Sequence, residues 1–314
     1  MAERALRITH SIRMRIASCL GLVCLLCSSP PPCPAQELEP RAYSLSPIGT
    51  QFLVIGGGRS SGGVLFDPSL PYRDVQAKLD TALVGYGYTF ALFDHFASAT
   101  VVAPYVWGNV SGNVGEDRHE VQRAGSADAK LRLSVNLLGG PALTPREFAR
   151  RTPQTTLGAS LSISAPTGQY DSTRLVNIGA NRWAFKPELG ISHPSGPWDL
   201  EAYVGMWFFT PNHDFRGVTR SQDPIATVQA HVSYTVRPRL WLAIDATYYS
   251  GGNTTVNHTR NADAQQNARA GVTLSIPLAT SQSLKLSWSA GATTRVGSDF
   301  TLYGIAWQRV WLDR

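Results

Sequence analysis

Lys130, Arg132, Arg182, Lys186, Glu188, Asp199, Glu201, His231, Asp245, Arg269, Lys285 and Arg295 are the side chains of this sequence that could do chemistry together. Each occupies the polar phase of an alternating segment. A two-residue turn at Arg237-Pro238 would set His231 beside Asp245 across a hairpin, and a carboxylate so placed can orient an imidazole as a general base. A barrel enzyme acting on lipids would also need a nucleophile close to the histidine. The chain has no G-x-S-x-G elbow, no H-E-x-x-H pair and no Gly-rich phosphate loop, and Gly56-Gly57-Gly58 before Arg59 reads as the way into a loop. His95, His119, His193, His213 and His258 fall mostly in expected loops without metal-ligand spacing. A hydrogen-bonded wall histidine is the simpler reading, so no catalytic residue, metal ligand or cofactor is assigned. Charges of both signs that leave water need partners, and these residues are expected to brace a wall by cross-strand ion pairs and to shape a narrow polar path.

The elements that carry them alternate with period two. In Ser126 to Leu137 every odd position is apolar and every even one polar, and Gln154 to Ala165 and Asn181 to Ser192 repeat the pattern. Such strands have one greasy and one wet face. At about 10 to 13 residues they exceed the usual soluble strand and match a tilted membrane crossing of roughly 9 to 11. Trp198 and Phe208 share a face ten residues apart, about 25 Å along the membrane normal, the separation of two aromatic girdles.

Twelve strands are expected, near 48–56, 74–88, 97–109, 126–138, 154–166, 181–192, 198–210, 225–236, 239–250, 267–277, 283–296 and 300–311. An even count suits an all-β, transmembrane, antiparallel up-and-down barrel. Later connections alternate short and long, which sets both termini on the periplasmic side. Long loops are expected at 57–73 and 110–125, and a short helix starting at Pro145 within 139–152.

Arg4, Arg7, Arg13 and Arg15 followed by the apolar run Ile16 to Cys27 read as an export signal, cut after Ala35; Met14 is an alternative start. The letters of a lipobox at Ile16-Ala17-Ser18-Cys19 precede the apolar run instead of ending it. Residues 1–35 are thus expected to be the signal and 36–314 one barrel domain. All four cysteines, Cys19, Cys24, Cys27 and Cys33, leave with the signal, so no disulfide or thiolate site supports the mature fold. The totals of 28 Lys+Arg and 22 Asp+Glu lose four and one, leaving 24 and 21 and a net charge near +3. That is not a nucleic-acid-binding balance.

More specific are Ala165 to Asp171 (APTGQYD) and Val176 to Pro187 (VNIGANRWAFKP), with SGPWDLEAYVGMWFFTPNHDF, DATYYSGG and PLATSQSLKLSWSAGATTRVGSDF downstream. With these the chain resembles the outer-membrane transporter-like family named for a meta-pathway of phenol degradation. The resemblance implies an outer-membrane barrel whose relatives are associated with breakdown of aromatic compounds. Read physically, Pro166, Thr167 and Gly168 end a strand. Tyr170 and Asp171 then lead into an external loop, and Asn177, Asn181 and Trp183 return it to the wall. The loop is expected to fold inward and form a constriction with Arg182, Lys186 and Glu188.

The function these readings imply is a channel of the Gram-negative outer membrane, reached by Sec-type export, for passive or facilitated diffusion of small, aromatic or hydrophobic solutes. Tyr203, Trp207 and Tyr249 would offer stacking surfaces. Outer-membrane lipids, a small solute and, during biogenesis, the barrel-assembly machinery are the expected partners. The alternatives are a non-conducting structural or adhesion barrel and a barrel enzyme acting on lipids; oligomeric state is left open.

Overall fold

The structure, a computed structural model, describes residues 38–65, 72–114 and 117–313; the expected signal, 1–35, lies outside them. Strands β1 (Thr50–Leu65), β2 (Tyr72–Leu92), β3 (His95–Val114), β4 (Asp117–Ser126), β5 (Ala129–Leu138), β6 (Thr156–Ala165), β7 (Ala184–Ser195) and β8 (Trp198–Phe209) form the first part of a wall. Two short strands, β9 (Asn212–Phe215) and β10 (Val218–Gln222), precede β11 (Ile225–Arg237) and β12 (Leu240–Gly251). After β13 (Thr254–Val256) and β14 (Thr259–Arg260) the wall resumes with β15 (Gln265–Ala279), β16 (Gln282–Thr293) and β17 (Gly297–Leu312). All wall neighbours pair antiparallel, and β1 closes on β17 from Thr50↔Leu312 to Leu65↔Gly297. The barrel has twelve staves, because β4 and β5 share one: β3 pairs with β5 up to Val102↔Lys130 and with β4 from Tyr105↔Ser126. Pro104, which has no N–H to give a ladder, sits opposite the break, its carbonyl accepting from the Ala127 N–H at 2.9 Å.

Burial is inverted relative to a soluble protein. On β7, Ala184, Lys186, Glu188 and Ser192 are buried while Leu189 and Ile191 are 51% and 45% exposed. The same inversion puts Val204, Val228, Val232 and Ile244 outside, a continuous apolar band of the kind only lipid covers. Trp198 and Phe208 face outward at opposite ends of β8, with Trp198 edge-on to Tyr234 at 4.8 Å. Among the described residues no helix is long and apolar enough to cross a membrane.

The expected loops differ from the structure in two ways. Most of 57–73 and 110–125 is not loop: β1 and β2 stay paired to Gly63↔Gln76, and β3 and β4 to Val114↔Asp117. Hairpins can outrun the bilayer because their ladders need no lipid. The stretches 211–224 and 251–266 contain a separate four-stranded sheet, β14-β13-β10-β9. The connection 139–155 does hold a helix, α1 (Pro145–Phe148), started by a Thr144/Glu147 capping box with Pro145 in its first turn.

Candidate functional site

Residues 38–49 do not trail from the barrel; they run inside it. The Tyr43 ring lies 5.1 Å from Tyr203 at 76° and is 1% exposed. Its room is made by Gly158 and Gly190, paired across β6 and β7, where an added Cβ would come within 2.2 Å of the ring in both cases. The Tyr43 hydroxyl meets Ser160 Oγ at 3.0 Å and donates to Glu188 Oε1 at 3.2 Å, and Asn136 Nδ2 donates to the Tyr43 carbonyl at 3.1 Å. Arg41 fixes the same segment to β8 and β11. Its backbone N–H donates to Glu201 Oε2 at 2.7 Å, its guanidinium donates to Ser233 and Thr235, and its Nη2 lies 3.2 Å from Asp199. The guanidinium also stands 4.6 Å over the Trp241 ring.

Ion pairs complete this plug. Glu188, nearly without solvent, takes Lys186 Nζ at 3.0 Å, Arg132 Nη2 at 3.1 Å and Gln229 Nε2 at 3.1 Å. Arg132 Nη1 reaches on to Glu39 at 2.6 Å. A charge that deep persists because its partners are equally fixed.

Above the plug lies a chamber of about 1700 Å3, lined by Leu79, Val106, Val110, Ile178, Phe209, Phe300 and Leu302 along with Lys130, Arg182 and Arg269. A side pocket of about 1070 Å3 shares Ser60, Thr81 and Leu302 with it and descends past Leu38 and Glu39 along Gly58, Ser287, Gly304 and Ala306. Lys285 borders this pocket and also a lower vestibule of about 2110 Å3 whose roof includes Arg41 and Tyr43. The small side chains of β1, β16 and β17 thus leave the space that the plug fills on the opposite wall.

The loop between β6 and β7 brings Val176, Asn177, Ile178 and Ala180 to the chamber. Gly168 and Ala180 N–H groups donate to the two carboxylate oxygens of Asp128, each at 2.9 Å, and Ala129 N–H donates to Thr167 Oγ1 at 2.9 Å. Asp128 stands in the break between β4 and β5, so the gap in the ladder is what holds the loop. Pro166 sits one residue past the end of β6. Asp171 N–H donates to Asn177 Oδ1, and Asn177 Nδ2 returns a bond to the Asp171 carbonyl. Tyr170 donates to the Asp214 carbonyl and Asn181 to Asn212, which ties the loop to β9. Trp183, 44% exposed, stacks on Phe185 at the outer surface.

The residues singled out from sequence therefore occupy different levels. Lys130, Arg182 and Arg269 line the chamber; Arg182 donates to Gln222 and lies 4.4 Å over Phe209, and Arg269 donates to Ser289 Oγ and the Phe300 carbonyl. Arg132, Lys186, Glu188 and Glu201 meet the plug, so Arg182 is separated from the Lys186 and Glu188 with which it was grouped. His231 Nδ1 meets Asp245 Oδ1 at 2.7 Å, and Thr273 donates to the other carboxylate oxygen. Neither His231 nor Asp245 lines chamber, side pocket or vestibule. Lys285 stands 5.9 Å over Trp241. Arg295 lies exposed in the turn before β17, not on a wall face. Tyr203, Trp207 and Tyr249 are each 1% exposed and packed, so they offer no free stacking face. Sequence reasoning missed Glu39, Arg41, Tyr43 and Asp128; the only signal was a dozen residues between the expected cleavage site and the first strand.

A family model described as "Putative MetA-pathway of phenol degradation" matches residues 59–310. The COG4313 outer membrane channel from Pseudomonas putida F1 is similar in structure, with a TM-score of 0.72 at 20% identity over 88% of this chain and 100% of that one. At that identity the likeness is one of fold. The NanC porin (TM-score 0.48, 11% identity, 83% of this chain and 100% of that one) and the CymD monoaromatic hydrocarbon channel (0.42, 9%, 85% and 90%) are more distant. No curated protein sequence matches the chain.

Proposed function

The chain belongs to this phenol-degradation family, and from that premise we propose that it is an outer-membrane channel that admits small apolar or aromatic solutes by diffusion. The observation that carries the reading is the chamber, a largely apolar space open to solvent and continued by a side pocket past a fixed plug. The part of it that water-sized spheres can occupy is about 340 Å3, at the small end of ordinary ligand pockets, roughly 300–1000 Å3, so it suits one small molecule at a time. A solute entering from outside would settle against Leu79, Val106 and Phe300, then pass Leu302 and Lys285 where wall residues are small. The plug closes the straight aqueous route and leaves the side route.

The same reading takes residues 1–35 as a signal removed after Sec-type export, residues 36–314 as the mature barrel, and insertion by the barrel-assembly machinery into a lipid bilayer. It treats the protein as a non-enzyme. His231 and Asp245 are walled off from every solute space described above, which supports a bracing role. Single-channel recording of the refolded 36–314 chain in a planar bilayer tests the proposal. Small steps interrupted by p-cresol are expected. A folded, heat-modifiable protein that never conducts and never responds to p-cresol would turn the reading toward a structural barrel.

A further inference from the structure

Resting on the reading of side pocket and vestibule as the solute's route, one side chain at their junction takes a role of its own. Among the described residues, Lys285 alone lines both spaces. Its partners across the ladders are Ala306 on β17 and Ser275 on β15, so both wall neighbours at its own level are small. One step above, Ser287 faces Gly304 and both line the side pocket. The plug changes over at the same level: Leu38 and Glu39 line the side pocket, and Pro40 and Arg41 the vestibule. The two spaces therefore meet between residues 39–40 of the plug and Lys285 of the wall.

Lysine is a compact charge on a flexible four-carbon stem, and the groups that attract this one lie on either side of the junction. Trp241 lines the vestibule. Its ring is 5.9 Å from the ammonium, at the edge of the roughly 6 Å over which a cation and a ring attract, and it already carries Arg41 at 4.6 Å. Glu39, in the side pocket, and Asp245 are the carboxylates that act on the ammonium. Each is bonded to other groups, Glu39 to Arg132 and Asp245 to His231 and Thr273. The stem thus has a resting place above the junction and another below it, and is clamped in neither.

We infer that Lys285 is the gate of the passage: the length of its side chain closes the junction, and a solute moves from side pocket to vestibule when the stem swings aside. Serine, glycine and alanine alone would leave the junction open to whatever the side pocket holds. With the lysine there, its reach sets the width, which favours slender single-ring solutes over broader ones.

The test is single-channel conductance in KCl of the refolded 36–314 barrel for the wild type, Lys285→Ala and Lys285→Met, each checked for folding by heat-modifiable migration. Alanine shortens the side chain, whereas methionine nearly keeps its length and drops the charge. Lys285→Ser, which copies the adjacent Ser283 and Ser287, repeats the measurement if the alanine variant misfolds. Lys285→Ala is expected to raise conductance several-fold, and Lys285→Met to stay close to wild type. Conductance not raised in Lys285→Ala, or raised as much by methionine as by alanine, overturns the gate and leaves the channel reading standing. Silence of both the folded wild type and folded Lys285→Ala overturns the channel and the gate together.

Discussion

The two halves of the barrel wall face the same lumen and are built oppositely. From β7 to β12 the inward residues are mostly polar and buried, and burial alternates residue by residue, as in β12 from Trp241 to Tyr249. From β16 through β1 the inward residues include Ser287, Gly304, Ala306 and Gly58, and β1 shows no such alternation, because its inner face meets space instead of side chains. The plug accounts for the difference. Arg41 and Tyr43 reach β6, β7, β8 and β11, not β1 or β17. One wall is therefore a socket and the other a passage, and a substitution should act according to the half it falls in.

The socket should break first and hardest at Glu188. Glu188→Ala leaves Lys186, 3% exposed, without its carboxylate; losing one partner of a buried pair costs about 3–5 kcal/mol. Urea titration of the heat-modifiable band should show that loss. Next comes Gly190→Leu, which pushes a side chain into the Tyr43 ring and its neighbour Tyr203. Overpacking of this kind costs about 1–3 kcal/mol, and protease cleavage within 38–49 should rise as the plug is displaced. In the passage, Ser287→Trp should leave the unfolding free energy in urea within about 0.5 kcal/mol of wild type, as expected of a site away from packed contacts. It should slow p-cresol entry into proteoliposomes several-fold. If Ser287→Trp destabilises as Glu188→Ala does, the contrast between the halves is lost.

The smallest effect belongs to neither wall. Thr144→Ala removes the cap of α1 at about 1 kcal/mol and should leave solute entry unchanged. The hydrogen bonds from Thr144 hold the Glu147 carboxyl below its ordinary 4.5. A depressed folded value means that this contribution is present above the ordinary value and lost as pH falls through the lowered one. The stability difference between wild type and Thr144→Ala should therefore shrink in acid.

Much of the wall was legible because lipid outside and polar filling inside impose one rule on every stave. The expected 198–210 and 225–236 lie within a residue of β8 and β11. The rule says nothing above the bilayer, so the tall hairpins 57–73 and 110–125 read as loops. It also hides the break at Ala127-Asp128, where the letters still alternate but Pro104 opposite removes a donor. The plug escaped because its partners are as far as 194 residues away in sequence, as Arg41 is from Thr235. For the same reason Arg182 read as part of one group with Lys186 and Glu188: strand phase gives the face, not the level.

The measurement that tests the division of the lumen most directly is the single-channel conductance of the refolded 36–314 chain against its Arg41→Ala/Tyr43→Ala double variant, matched for folding by heat modifiability. With the socket empty, conductance should rise several-fold and lose its closed periods. Equal conductance in the two proteins would mean that residues 38–49 do not control the path, and the account of plug and passage would fall.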